Sequence, residues 1–411
     1  MMAKEKQYLR ELAKRQTAYA NLPEMEQKKK KWMDVNTGKK TPPPVVVETE
    51  TFRQDMVPEH ILYCTDPRAR EMEYRLLKNI REYELIQDDK VIPDVFEIPI
   101  QTVIDEFGFP IEECHALDAN GRDVGYEYHS PIGDLEEDFY RLKPAVVRVD
   151  NDKTQESYEF ARDILDGIMP VRLIGAPPMI ALPFQAVKLL GLENYMMSMY
   201  DCPETLHKLM HYLTENQIKV MKYYENNEIL TLNNANQETC LSSYGFTDRL
   251  PLTGTEHPTL KDVWIWAEAE ETASISPDMF REFCLPYMAR ACREMGLIYY
   301  GCCEPMHDVW QDVRKEIPNI QKVSVSPWSN QQKMGEMLQG TEVVFSRKPY
   351  ANYLGVESRL DEEAWAKHIK ETLDAAKGCQ CEFIMRDVYR VRDLEDVRRA
   401  VEIVRRQAEE A

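Results

Sequence analysis

No stretch of the chain stays apolar for the roughly 18–20 residues that span a bilayer, so no membrane segment is expected. Met1 to Arg15 is charged from the outset and has no apolar signal core, so a cytoplasmic rather than a secreted protein is expected. A basic balance is missing too. Lys and Arg number 51 against 71 Asp and Glu, a formal net charge of −20 over 411 residues. Such a chain repels phosphate backbones, and no nucleic-acid partner is expected. The one basic run, Lys28-Lys29-Lys30-Lys31, follows acidic residues and reads as a solvated helix face. There is no GxGxxG turn and no Walker loop, the usual marks of a nucleotide-binding open sheet. Repeats and low-complexity segments are absent. Without a secretory leader, the ten cysteines read as reduced thiols or metal ligands rather than as a disulfide framework.

What is present is alternation. From about Lys4 to Asn36 the chain is helical in character and very polar, with Leu9, Leu12 and Tyr19 as apolar positions. This reads as a surface extension or dimer arm, broken at Thr41-Pro42-Pro43-Pro44. Val45-Val46-Val47-Glu48 reads as a strand. From about Thr51 to Arg148 helix, short strands and turns such as Asn120-Gly121 mix. Apolar runs then recur at Val171–Gly175, Ile229–Leu232, Val263–Ala267, Leu297–Tyr300, Lys322–Ser326, Val343–Ser346 and Glu382–Met385. Amphipathic helices are predicted between most of them: Phe184–Tyr224, Pro277–Met295, Pro305–Glu316, Gln331–Leu338, Glu362–Ala376 and Leu394–Gln407. Strands alternating with helices imply a parallel sheet. Seven such strands plus the earlier one match an α/β fold of the (β/α)8 TIM-barrel kind. We expect a helical extension over residues 1–42 and a single barrel over 43–411.

Barrel enzymes gather their chemistry where strands end. Here those ends carry Asn233, Asn234, Asn236 and Gln237; Glu268, Glu270 and Glu271; Cys302, Cys303 and Glu304; Ser326 and Trp328; Arg347 and Lys348; and Arg386, Asp387 and Tyr389. Any strand end turns polar at a surface, which accounts for Asn and Ser. It accounts poorly for the adjacent cysteines of Tyr300-Gly301-Cys302-Cys303-Glu304-Pro305, or for Cys379-Gln380-Cys381 before the last strand. Thiolates favour soft or borderline metals, with zinc the default for a non-redox site. Free cysteine is also a common core residue, which is how Cys284 and Cys292 read. Neighbouring strand residues point to opposite faces, so Cys302 and Cys303 share a metal only if the backbone turns there; Pro305 suggests that it does.

The segment from Leu297 to Glu304 resembles the zinc-binding strand of the corrinoid-dependent methyltransferase branch of the uroporphyrinogen-decarboxylase superfamily. That motif is His-x-Cys followed much later by a second Cys. Tyr300-Gly301-Cys302 falls on the first part and Cys379 near the second. Leu173–Pro177, Tyr195–Glu204, Ile317–Asn319, Val323–Trp328 and Arg347–Pro349 agree with it, so the likeness covers roughly residues 165–410. Tyrosine in place of histidine is a departure, since it is a poor zinc ligand at neutral pH. Cys303, Glu304, Cys381, Glu270 or His307 could supply the missing ligand, Cys303 and Glu270 foremost. The decarboxylases themselves carry an arginine-rich N-terminal motif; Val45 to Asp66 has only Arg53.

The resemblance implies an enzyme moving a methyl group between a small, methoxylated molecule and a corrinoid on a partner protein, with zinc on Cys302, Cys379 and Cys303. Asp387 or Glu270 would handle a proton. Lys348 and Tyr300 would complete the catalytic group, and Arg347, Asn234 and Trp328 would contact substrate. Trp328, Tyr389 and Met306 would form an exposed apolar rim for the corrinoid protein. His129 and His307 are further acid–base candidates. A homodimer is compatible with the N-terminal arm. The alternatives are a metal-free lyase, with Arg347, Lys348 and Arg386 gripping carboxylates and Asp387 handling the proton, and a non-catalytic interaction protein.

Overall fold

The computed structural model describes residues 3–117, 123–240, 242–252, 255–355 and 359–410. The turn expected at Asn120-Gly121 lies outside them. The strands are β1 (Val45–Val47), β2 (Phe96–Pro99), β3 (Thr102–Asp105), β4 (Glu112–Leu117), β5 (Asp123–His129), β6 (Val146–Val149), β7 (Val171–Ile174), β8 (Glu238–Cys240), β9 (Ser243–Tyr244), β10 (Trp264–Ala267), β11 (Leu297–Tyr300), β12 (Ile320–Val325), β13 (Val344–Arg347) and β14 (Gln380–Met385). A parallel sheet runs β1-β14-β13-β12-β11-β10. Its strands are buried along nearly their whole length, as expected of parallel strands covered on both faces. One face packs Val46, Tyr299, Val344 and Ile384 against Trp32, Tyr244 and Phe246. The other carries Tyr300, Phe345 and Phe383 into the main core with the helices.

The full eight-stranded barrel is not formed among the described residues; the sheet is a curled half-barrel. β7 pairs in parallel with β2 in a sheet of its own. Ile229–Leu232 is no strand, although the Thr231 amide donates to the Gly175 carbonyl at 2.8 Å. Against the edge of β10 lie Ile180, bridged to Ala267, and the Asn233 side chain, which exchanges hydrogen bonds with the Trp264 backbone at 2.8 and 2.9 Å. The edge of β1 is closed by side chains instead. Asp89 and Asp88 carboxylates accept from the amides of Val45 and Val47 at 2.8 and 2.9 Å, leaving no donors there for another strand.

The polar N-terminal segment belongs to the body of the protein rather than forming a surface arm. It makes two helices, α1 (Ala3–Ala20) and α2 (Pro23–Asn36), separated at Leu22-Pro23. Leu9, Leu12 and Ala13 enter the main core. Trp32 is fully buried beneath the curled sheet, donating from Nε1 to the Asp89 carbonyl at 2.8 Å. Asn36 donates to the carbonyls of Tyr244 and Phe246 at 2.9 and 2.8 Å, tying α2 to the β8–β9 hairpin. Lys30 is exposed to solvent, but Lys28, Lys29 and Lys31 are half-buried: Lys31 pairs with Asp89 at 2.9 Å and Lys28 donates to the Lys90 carbonyl at 3.2 Å.

The expected helices are present, Gln331–Leu338 with the expected bounds and Leu394–Glu410 slightly longer, while others are shorter or broken. Phe184–Tyr224 becomes Leu182–Leu190, Leu192–Asp201 and Pro203–Asn226, broken at Gly191 and before Pro203. Pro277–Met295 splits before Pro286, and Pro305–Glu316 is α-helical only over Trp310–Glu316. No described helix is long and apolar enough to cross a membrane.

Candidate functional site

The C-terminal ends of five sheet strands converge. Glu48 follows β1, Glu268 follows β10, Cys302 follows β11, Lys348 follows β13 and Arg386 follows β14. The turn that brings the two thiols together sits at Gly301, whose φ of +94° is a left-handed conformation that side chains resist. An added Cβ there would also meet Ser324 Cβ at 3.1 Å. Past this turn strand alternation stops, and Cys302 and Cys303 Sγ lie 3.7 Å apart. The Glu304 carboxylate fixes the loop by accepting from the amides of Cys302 at 2.8 Å and Ala269 at 3.0 Å. Ser324 Oγ and Lys348 Nζ donate to the Cys302 carbonyl at 2.6 and 3.2 Å.

Arg386 Nη1 donates to Cys302 Sγ at 3.2 Å. The same guanidinium lies 3.5 Å from Glu48 and 3.0 Å from Asp387, the latter itself left-handed at φ 60°. Glu270 is exposed, and one of its oxygens and the sulfurs of Cys302 and Cys303 all lie within 4.8 Å of one another. The site carries an excess of negative groups: Glu48, Glu268, Glu270, Glu271, Glu304 and Asp387 against Lys348 and Arg386. Burial, then Glu304 and Glu271, push the Glu268 carboxyl up to about 10. Burial and the carboxylates of Glu270 and Glu304 raise Glu271 to about 7. Glu304 and Glu48 are raised by burial as well. The Cys302 thiol is raised by its hydrogen bond with Cys303 and by burial, with Lys348 and Arg386 opposing. Low-dielectric crowding of acids holds protons there unless a cation takes their place.

Other expected site residues stand elsewhere. Cys379 is not brought to Cys302. It precedes β14 at the opposite, N-terminal end of the sheet, its Sγ 3.5 Å from the Gly335 carbonyl; six strand residues span roughly 20 Å. Tyr300 is fully buried toward the helices, its hydroxyl without a partner, and burial raises its pKa far above the usual range. Its neighbour Tyr299 faces the other way, donating to or accepting from Ser346 Oγ at 2.7 Å. Asn234 donates to the Pro251 and Asp262 carbonyls at 2.6 and 2.8 Å, before β10 rather than beyond it. Arg347 is buried and donates to the Val325 and Ser326 carbonyls at 3.1 and 2.8 Å, away from the thiols. Desolvation lowers it to about 10. Trp328 is 66% exposed and meets the Tyr350 ring edge-on at 6.1 Å; Tyr389 is exposed, but Met306 is buried and offers no rim contact. His307 accepts from the Asn330 amide at 3.2 Å, and exposed His129 sits beside Cys114 at 3.5 Å on the β4–β5 hairpin.

Glu48 was not among the expected site residues, although an acid directly after a β-branched run is a visible signal. Arg386 and Glu304 were visible as strand-end charges, but their partners were not.

No family model and no curated protein matches this chain. Among solved structures it is similar to a methyltransferase from Methanosarcina mazei, at 14% identity and a TM-score of 0.51, over 92% of this chain and 98% of that one. The likeness is one of fold.

Proposed function

We propose that this chain is a methyltransferase acting on a small molecule, with a zinc ion held by Cys302, Cys303 and Glu270 and a corrinoid protein as methyl carrier. The observation that carries the reading is the thiol–thiol–carboxylate cluster at the C-terminal rim. Two thiolates on one tetrahedral zinc, at about 2.3 Å each, stand about 3.8 Å apart. The observed 3.7 Å fits that spacing, and the surrounding acids supply the demand for a cation. The exposed Glu270 leaves that side of the cluster open, as a catalytic rather than a structural metal requires. A fold like that of a named methyltransferase supports the same reading.

When bound, zinc supplies Lewis acidity toward a substrate heteroatom. The chain's own groups do the rest. Arg386 favours the thiolate form of Cys302, Lys348 and Ser324 hold the loop through the Cys302 carbonyl, and Glu304 locks it to the turn after β10. Glu268 is the buried acid placed to hold a proton. Exposed Trp328 and Tyr389 offer aromatic anchors to the carrier.

The test is elemental analysis of protein purified without chelator, together with transfer assays following cobalt absorbance. These would use cob(I)alamin with methoxylated compounds and methylcobalamin with small thiols. About one zinc per chain, lost together with transfer in Cys303→Ser, is expected. A metal-free protein that decarboxylates a small acid through Arg386 and Lys348 would replace this reading with a lyase.

A further inference from the structure

A cavity of about 750 Å³ shares no residue with the thiol cluster. It lies where the curled sheet fails to close, between the helix Pro67–Arg81, the segment after Lys90, the end of β7 and the β8–β9 hairpin. That volume is within the range of small-molecule sites.

Its charges are nearly all accounted for. Lys78 and Arg53 pair with Glu50 at 2.9 and 3.4 Å, Lys90 with Glu82 at 2.7 Å and Lys29 with Glu26 at 2.7 Å. Arg172 pairs with Glu97. Among the described lining residues Arg75 is the cation with no carboxylate partner. Its guanidinium lies 4.1 Å from the Phe96 ring centroid, and Nη2 donates only to the Glu97 carbonyl at 2.7 Å. Burial lowers its pKa, and Glu71 and Glu97 offset this only in part. The acids without a paired cation, Glu71, Asp94 and Glu238, are exposed. Tyr74, Phe96, Tyr244 and Phe246 give the wall an aromatic character.

We propose that this cavity is a second ligand site, taking a small organic carboxylate whose anionic end meets Arg75 and whose apolar body lies against the aromatic wall. A half-buried guanidinium without a carboxylate partner at the wall of a cavity is the group such an anion neutralises. The site stands independently of the metal reading.

Isothermal titration calorimetry with benzoate tests it. Saturable binding is expected, at least tenfold tighter than inorganic phosphate under the same conditions. Arg75→Gln weakens it at least tenfold. Ala235→Phe fills the cavity from a lining loop, leaves the guanidinium in place and abolishes the heat. Cys302→Ser leaves benzoate binding unchanged. Folding of each variant is checked by its thermal transition. Absence of saturable benzoate binding, equal affinity for phosphate, retention in both cavity variants, or loss in Cys302→Ser would each overturn the proposal.

Discussion

Two buried polar clusters occupy the same sheet and behave oppositely. In the lower interior Lys322 on β12 and Glu382 on β14 are both wholly buried, 2.9 Å apart. Each has further partners: Lys322 donates to Ser243 Oγ at 2.6 Å and to the Tyr244 carbonyl at 3.1 Å, and Glu382 accepts from Ser346 Oγ at 2.6 Å. One cation meets one anion and the hydrogen bonds are filled. At the C-terminal rim the acids outnumber the cations and two thiols lie side by side. A closed network of this kind holds the β8–β9 hairpin inside the half-barrel. An unbalanced one costs stability, and such imbalance is characteristic of sites that bind or react.

The comparison breaks most visibly at the closed network. Glu382→Leu should cost about 3–5 kcal/mol, because it leaves Lys322 charged and unpaired in the interior. The double variant Lys322→Met/Glu382→Leu should recover most of that loss. Urea unfolding of the variants measures both; a single variant within about 1 kcal/mol of the parent would show that the network is not closed.

At the rim the sign reverses. Glu268→Gln keeps an acceptor for the Glu270 amide, 2.7 Å away, while removing one surplus acid. The metal-free variant should gain about 0.5–2 kcal/mol, while the variant purified without chelator should lose transfer activity. A loss of stability would place Glu268 with the balanced groups.

A third buried group sharpens the contrast through pH. His368 is stacked on Tyr353 at 5.0 Å and near Trp365, with Nε2 lacking a partner. Desolvation, then nearby Arg347, lowers it to about 4. A histidine kept neutral in the folded state binds fewer protons than the unfolded chain between about pH 4 and 6.5. Its contribution is therefore present above pH 6.5 and lost as the pH falls toward 4. The melting temperature should drop by a few degrees from pH 7 to 5, and less so in His368→Phe. Equal slopes would remove His368 from the account.

Much of this was legible in the chain. The sheet strands after residue 260 are each marked by an apolar run, because a parallel strand buried on both faces tolerates little else. The Gly301-Cys302-Cys303-Glu304 turn announced itself by residues that a bare strand end does not need. What stayed hidden depends on side chains reaching across the fold. Asp88 and Asp89 close β1 through its amides, which no periodicity records. α1 and α2 looked like a surface arm because their contacts are partly polar, as with buried Gln16 donating to the Pro93 carbonyl at 2.8 Å. Face was the other loss. Arg347 and Lys348 are adjacent, and β13 points only one of them toward the thiols.

The smallest expected effect decides which thiols form the site. The likeness pairs Cys302 with Cys379, while the fold places them at opposite ends of the sheet and puts Cys303 beside Cys302. Cys379 is half-buried, packs against the main core and sets its sulfur 3.5 Å from the Gly335 carbonyl. Burial raises its pKa to about 11, and the one cluster of three ligand-type side chains among the described residues does not include it. Cys379→Ala should leave metal content and transfer rate unchanged within error and shift stability by no more than about 1 kcal/mol, the scale of a small half-buried truncation. Cys303→Ala should abolish both metal and transfer without a comparable loss of fold. If Cys379→Ala loses the metal while Cys303→Ala keeps it, the 3.7 Å thiol pair is a packing contact, and the chain must rearrange around β14 to build its site.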